Sequence, residues 1–266
     1  RAPSSSAPGL DGWTWEMLKE VYKENEEVLL RYLKCITKAS LPEPMKDYLA
    51  SAKIIPLAKK SRDVMNAERQ AAELCGDVFM PAVRPIAISS VWTRISGACL
   101  LDATGESLRE CAGPLQFCVK TKNGLDVMQH TFKTIRESNP SLLALHLDFK
   151  NAFNEVSQNV IYNQIIANPA LSPLVPFYKM TYLDRDANLY FVPSSESEPP
   201  RIIKSSEGTR QGCVLGMPLY ALAHRLAMQW LQDACGENGL VMAWADDTYV
   251  LAPIKEIGNI LHKVLA

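Results

Sequence analysis

The residues of this chain best suited to chemistry are three aspartates. Asp148 ends the apolar run SLLALHLDF, and Asp246 and Asp247 sit at the crest of GLVMAWADDTYVLAP. The first run reads as a strand over 142–149 and the second as a hairpin over 240–251. If both join one sheet, the three carboxylates meet at one edge. Hard oxygen donors grouped in this way suit Mg²⁺, with Mn²⁺ as a substitute. Two such ions a few Å apart stabilise both the attacking and the leaving oxygen of an in-line phosphoryl displacement. An Asp-Asp turn capping an ordinary hairpin would look the same in isolation, because turns favour Asp. The surrounding segments decide.

Between the acidic sites runs EGTRQGCVLGMPLYALAHRLAMQWLQDACG. Glycines at 208, 212 and 216 leave the backbone open to close approach by a ligand. Pro218 then suits the first turn of a helix in which Leu219, Leu222, Ala223, Leu226 and Trp230 recur at helical spacing, and Gly236 ends it. The reading is a glycine-rich loop feeding a long amphipathic helix.

In this order, LDFKNAF, RQGCVLGMPL and WADD resemble the three palm motifs of reverse transcriptases. SAKIIPLAKK, VRPIAISSVWTRI and PGLDGWTWEML resemble fingers motifs of the same family, closest to its non-LTR retrotransposon and group II intron branch. The resemblance spans nearly the whole chain. It departs from the family pattern at Gly216, where a serine is usual, and at Trp244, where Tyr or Phe is usual. The linker from Lys60 to Val83 is also longer than usual, and NAERQAAELCG within it reads as an extra helical turn or two.

The resemblance implies an RNA-directed DNA polymerase, acting with an RNA template, a DNA or RNA primer and dNTPs. By the same resemblance Asp148 and Asp246 ligate two Mg²⁺ ions, Asp247 is a weaker ligand, and the backbone carbonyl of Phe149 completes the shell. Arg84 packs on the incoming nucleotide, with Lys53 as the second cation of that pocket. Gln211 and Gly212 contact the nucleotide sugar and the templating pair. Phe153 lies beneath the sugar, where its ring fills the space of a 2′-hydroxyl. The plainer alternatives are a surface arginine in an ion pair, a glutamine satisfying backbone groups and a core aromatic. Two other functions share the fold: a nucleic-acid-binding or maturation module without turnover, and an RNA-directed RNA polymerase. The acidic triad argues against the first, since carboxylates held together repel one another. The second usually places another aspartate five positions after the first, where this chain has Phe153.

The chain has 266 residues, 47% of them hydrophobic, enough to bury a sizeable core. Its formal charge of -1, from 28 basic and 29 acidic residues, is low for a protein that must hold a polyanion. Lys53, Lys59, Lys60 and Arg62 form the one basic cluster suited to phosphate, and a solvated surface is the equal alternative. The cysteines at 35, 75, 99, 111, 118, 213 and 235 form no CxxC pair. They read as reduced thiols of a protein inside the cell, in the nucleus of a eukaryotic host. The histidines at 130, 146, 224 and 262 stand at no zinc spacing, and His146 reads as packed or hydrogen-bonded. No apolar run nears the roughly 20 residues of a membrane span, and no signal pattern opens the chain.

The expected fold is α+β: right-hand polymerase fingers and palm, the mostly antiparallel palm sheet backed by helices. Residues 1–100 would form the N-terminal part of the fingers, and 101–155 the first palm segment with the catalytic strand. An excursion with a hairpin would fill 156–208, and the remaining palm 209–266. Helices are expected near 13–38, 124–138, 157–167 and 172–183, and further strands at 52–57, 187–192 and 201–205. APSSSAPG and SSESEPP read as flexible or exposed. The missing initiator methionine and the helical pattern at the end suggest a piece of a longer polyprotein, without its thumb.

Overall fold

A computed structural model describes residues 7–184, 187–193 and 198–265 of the chain, so most of the APSSSAPG leader and of the SSESEPP loop lies outside the described residues. The N-terminal helices are α1 (Trp15–Glu24), α2 (Glu26–Thr37) and α3 (Glu43–Ala50). The single helix expected over 13–38 is two. Asn25 leaves helical geometry at φ -155°, and its side chain accepts the Val28 N–H, ending one helix and capping the next.

β1 (Ala52–Ala58), α4 (Arg62–Cys75) and β2 (Val83–Ser89) follow. The two strands pair antiparallel with Pro56 opposite Pro85. β2 is an edge strand, and β4 (introduced below) covers β1 only over Ala52–Ile54, so neither proline removes a ladder donor on those outer sides. The linker holds a full 14-residue helix, well beyond the turn or two expected. Ser61 caps it and Gly76 closes it in the left-handed region, and none of its residues is buried.

α5 (Val91–Ala112) runs through the core, and the fingers–palm boundary expected at residue 100 falls inside it. After α6 (Gly124–Ser138) come β3 (Leu143–Leu147), α7 (Ala152–Glu155) and α8 (Gln158–Ile166). The helix expected over 172–183 is composite: a 3₁₀ stretch over Pro169–Leu174, a single turn α9 (Val175–Tyr178) and a π turn over Lys179–Leu183. β4 (Ala187–Phe191) and β5 (Arg201–Ser205) pair antiparallel. The chain then forms α10 (Gly216–Cys235), the hairpin β6 (Leu240–Trp244) and β7 (Asp247–Ala252), and α11 (Ile254–Leu265).

Two sheets result. The first has the order β2-β1-β4-β5, with only the β1–β4 pair parallel, and the second has the antiparallel order β3-β7-β6. The α+β expectation holds. Between them α5 and α10 bury Leu100, Leu108, Leu219 and Leu222 against Ile161, Leu171 and Leu174. The second half of α10 turns a different face inward from the one expected. Met228, Leu231 and Cys235 pack on β6, β7 and α11, which leaves Leu226 and Trp230 exposed. No helix among the described residues is long and apolar enough to cross a membrane.

Candidate active site

Strand register gathers the acidic residues. β7 lies between β3 and β6, with Leu147 opposite Thr248 and Trp244 opposite Asp247. One step beyond the β3 ladder, Asp148 faces the start of β7, and Asp246 occupies the two-residue turn between β6 and β7. Asp148 and Asp247 are exposed and Asp246 is half-buried. Burial pushes the Asp246 carboxyl above the ordinary carboxylate range. The charges of Asp247 and Asp148 push the same way, while its own backbone N–H and Arg84 oppose them.

A cleft of about 760 Å³ opens above this turn. Its lining brings together Asp148, Phe149, Phe153, Asp246 and Asp247 of the acidic end, Arg84 of β2, and Gln211 and Gly212 of the glycine loop. The structure does not bring Lys53 there. It shares a sheet face with Arg84, but it pairs with Ile88 while Arg84 pairs with Leu57, a separation of four residues or roughly 13 Å along the strands. Lys59, at the end of the same segment, lines the cleft instead. Of the remaining basic cluster, Lys60 pairs with Glu68.

The glycine loop is fastened to the first sheet. The Ala87 N–H on the free edge of β2 donates to the Gln211 carbonyl at 2.7 Å. Gly212 has φ +104°, and a Cβ there would stand 2.5 Å from the Ala87 carbonyl oxygen, so close approach of the two backbones requires glycine. At Gly216 a Cβ would stand 3.0 Å from the Arg210 carbonyl, a tight contact that a side chain there would have to displace.

Arg210, which sequence reading passed over, anchors this loop from within. It is buried, donates to the Ala50 carbonyl and to the Thr181 carbonyl at 2.7 Å, and lies over the Tyr182 ring at 5.0 Å. A charged residue beside a glycine pair was its only signal, and that pattern alone reads equally as a phosphate contact.

Phe153 lines the cleft, and its ring stacks on Tyr220 with centroids 4.6 Å apart. His146 is hydrogen-bonded and packed, as expected. Its Nε2 lies 3.3 Å from Asp247 Oδ1, and its ring stacks on Tyr249. The third carboxylate thus has a protein partner.

Among the described residues no group of three or more His, Cys, Asp or Glu side chains could hold a metal ion unaided. Mg²⁺ beside nucleotides usually takes only one or two protein carboxylates and fills its remaining positions with water and phosphate. Asp148 and Asp246 are two such carboxylates lining one cleft, and the upward shift of Asp246 includes repulsion from Asp247 and Asp148.

No protein-family model matches the chain. Over 264 residues, 98% of this chain, it is 24% identical to the "Retrotransposable element SLACS 132 kDa protein" of Trypanosoma brucei gambiense. The chain spans 20% of that protein's length. Among solved structures, the fold is similar to apo telomerase of Candida tropicalis truncated from its C-terminal domain, with a TM-score of 0.52 and 13% identity. That match covers 82% of this chain and 47% of the other. In overall sequence the chain is thus similar to a retrotransposable element protein, and in fold to a telomerase.

Proposed function

We infer that the chain is the fingers and palm of an RNA-directed DNA polymerase of a retroelement, adding deoxynucleotides to a primer 3′-hydroxyl on an RNA template. The observation that carries this reading is the single cleft in which Asp148 and Asp246 face Arg84, Lys59, the Gln211–Gly212 loop and Phe153. Carboxylates on one side and cations on the other suit a nucleoside triphosphate chelated to metal. In the reaction the primer 3′-oxygen attacks the α-phosphorus, the bond to the bridging oxygen breaks, and pyrophosphate leaves. Two Mg²⁺ ions, when bound, would supply Lewis-acid activation of the hydroxyl and neutralise charge on the leaving group.

The chain's own residues do the rest. Asp148 and Asp246 provide the anionic floor, with the Phe149 carbonyl beside them. Arg84 and Lys59 meet the triphosphate, Gln211 and Gly212 set the nucleotide against the template, and Phe153 excludes a 2′-hydroxyl. The work belongs inside the cell, in the nucleus of a eukaryotic host, within a longer polyprotein.

Primer extension by the intact protein on an RNA template tests this, with dNTPs against rNTPs and with or without Mg²⁺. Mg²⁺-dependent extension with dNTPs is expected. Extension with rNTPs alone would make it an RNA polymerase, and binding of template and primer without extension would make it a module without turnover.

A further inference from the structure

Behind the Asp246 turn lies a buried polar network that neither the metal site nor the nucleotide contacts explain. Ala245, the first residue of the turn, has φ +57°, a left-handed conformation that an alanine adopts only when its surroundings impose it. Gln116 imposes it. Its Oε1 accepts the Ala245 N–H at 2.9 Å and its Nε2 donates to the Ala245 carbonyl at 3.1 Å, so one side-chain amide clamps both polar groups of that residue. The flanking backbone adds to the hold. Phe117 N–H donates to the Ala243 carbonyl and Ala243 N–H to the Leu115 carbonyl, each at 2.9 Å, laying residues 115–117 along the free edge of β6.

The amide orientation fixes the next link. Since Gln116 Oε1 must accept from Ala245, the group facing His224 Nδ1 at 3.2 Å is the Gln116 NH₂. Nδ1 therefore accepts, and the ring proton sits on Nε2. Nε2 donates to Thr248 Oγ1 at 3.1 Å, and Thr248 Oγ1 donates in turn to the Asp246 backbone carbonyl at 3.1 Å. Every donor in this chain meets an acceptor, and all run in one direction to the residue that carries the carboxylate. Gln116, His224 and Thr248 are all buried, at 1%, 5% and 0% exposure. A half-made bond among them would be costly in such a place.

We propose that Gln116 and His224 are positioning residues that hold the Ala245–Asp246 turn, and with it the Asp246 carboxylate, in the geometry the cleft uses. This rests on the reading of Asp246 as a ligand of the reaction's cation. His224 acts as a relay of hydrogen-bond direction, with a fixed neutral tautomer. Phe149, against its ring edge, and Tyr220, stacked at 5.3 Å, keep the imidazole in plane. Gln116 supplies the clamp.

The test uses Gln116→Met, His224→Leu, His224→Gln and the near-isosteric Thr248→Val in the intact protein. The Mg²⁺ concentration for half-maximal extension should rise by about tenfold or more in Gln116→Met and His224→Leu, with kcat falling and the nucleotide KM unchanged at saturating Mg²⁺. His224→Gln, which keeps a donor toward Thr248, should recover part of the loss. Thr248→Val, which disturbs packing least, should shift the Mg²⁺ midpoint in the same direction. A merely structural role would lower the melting temperature and the active fraction while leaving that midpoint in place, and this result would overturn the proposal.

A second arm needs no activity. In ¹⁵N-histidine spectra His224 should show a protonated Nε2 and a bare Nδ1, and the Ala245 amide should lose its hydrogen-exchange protection in Gln116→Met. A proton on Nδ1, or an unchanged Ala245 amide, would overturn the proposal. Absence of extension by the unmutated protein, with the spectra as expected, would instead count against the polymerase reading and leave the clamp standing.

Discussion

The ring of Phe153 lies on that of Tyr220 with centroids 4.6 Å apart and planes inclined by 29°. Tyr220 is 4% exposed, so the Phe153 ring rests on a fixed surface. If Phe153 is the proposed gate, a ring so backed would not yield to a 2′-hydroxyl. Overpacking costs about 1–3 kcal/mol and an unsatisfied hydroxyl a comparable amount. Phe153→Val should therefore raise ribonucleotide use relative to deoxynucleotide use by about 30-fold or more. Single-nucleotide incorporation kinetics give the ratio directly. An unchanged ratio would mean that Phe153 is a core aromatic and no gate.

The fit of Gly212 against Ala87 yields a second expectation. Gly212→Ala would place a methyl 2.5 Å from a carbonyl oxygen at φ +104°. The loop must then part from β2, breaking the 2.7 Å bond that Gln211 accepts. A loss of about 1–3 kcal/mol in urea unfolding is expected, with a higher nucleotide KM. Wild-type values for both would show that the loop does not depend on this contact.

Arg84 is exposed and its charge reaches Asp246 across the cleft. Arg84→Ala should weaken nucleotide use by about 2–4 kcal/mol, and Arg84→Lys should restore it only in part, because lysine keeps the charge but loses the planar fork. Lys53→Ala, outside the cleft, should leave the nucleotide KM within twofold, whereas Lys59→Ala should raise it. Steady-state kinetics on the four variants settle which cations serve the pocket.

Much of this site was legible because its motifs combine local signals. Apolar runs ending in Asp, a glycine-spaced loop and Pro218 each point to one local conformation. α5 escaped because Thr93, Ser96, Gly97, Thr104 and Gly105 interrupt the apolar stripe of Val91, Leu100, Leu108 and Ala112 on its buried face. β2 is missing from the sequence reading, although Pro85, like Pro56 in β1, sits where no ladder donor is lost. The buried face of α10 was misjudged because Leu226 and Trp230 continue the apolar pattern that Met228 and Leu231 in fact satisfy. Gln116 and His224 lie far apart in sequence and join Ala245 only through tertiary packing. No local pattern announces such a network.

The same histidine gives the fold an acid sensitivity. Burial pushes the His224 imidazole down to about 4, against about 6.5 in an unfolded chain. Below pH 6.5 the unfolded chain gains a proton that the folded chain refuses. The stability contributed by the neutral ring is thus complete above that pH and is lost as pH falls toward 4, by about 2–3 kcal/mol at pH 4.5. Urea unfolding at pH 7 and pH 4.5 should show that difference shrinking by this amount in His224→Gln. An equal acid loss in variant and parent would mean that His224 is already protonated in the fold.

The proposed polymerase activity depends most directly on Asp148 and Asp246 acting together on one phosphoryl transfer. Asp148→Asn and Asp246→Asn keep the shape of each side chain and remove its charge, so the fold should survive in both. Primer extension with dNTPs on an RNA template, measured at saturating Mg²⁺, should fall by more than roughly a thousandfold in each, because electrostatic stabilisation of the transferring group dominates the barrier. Retention of even about a tenth of the parent rate by either folded variant would contradict the account.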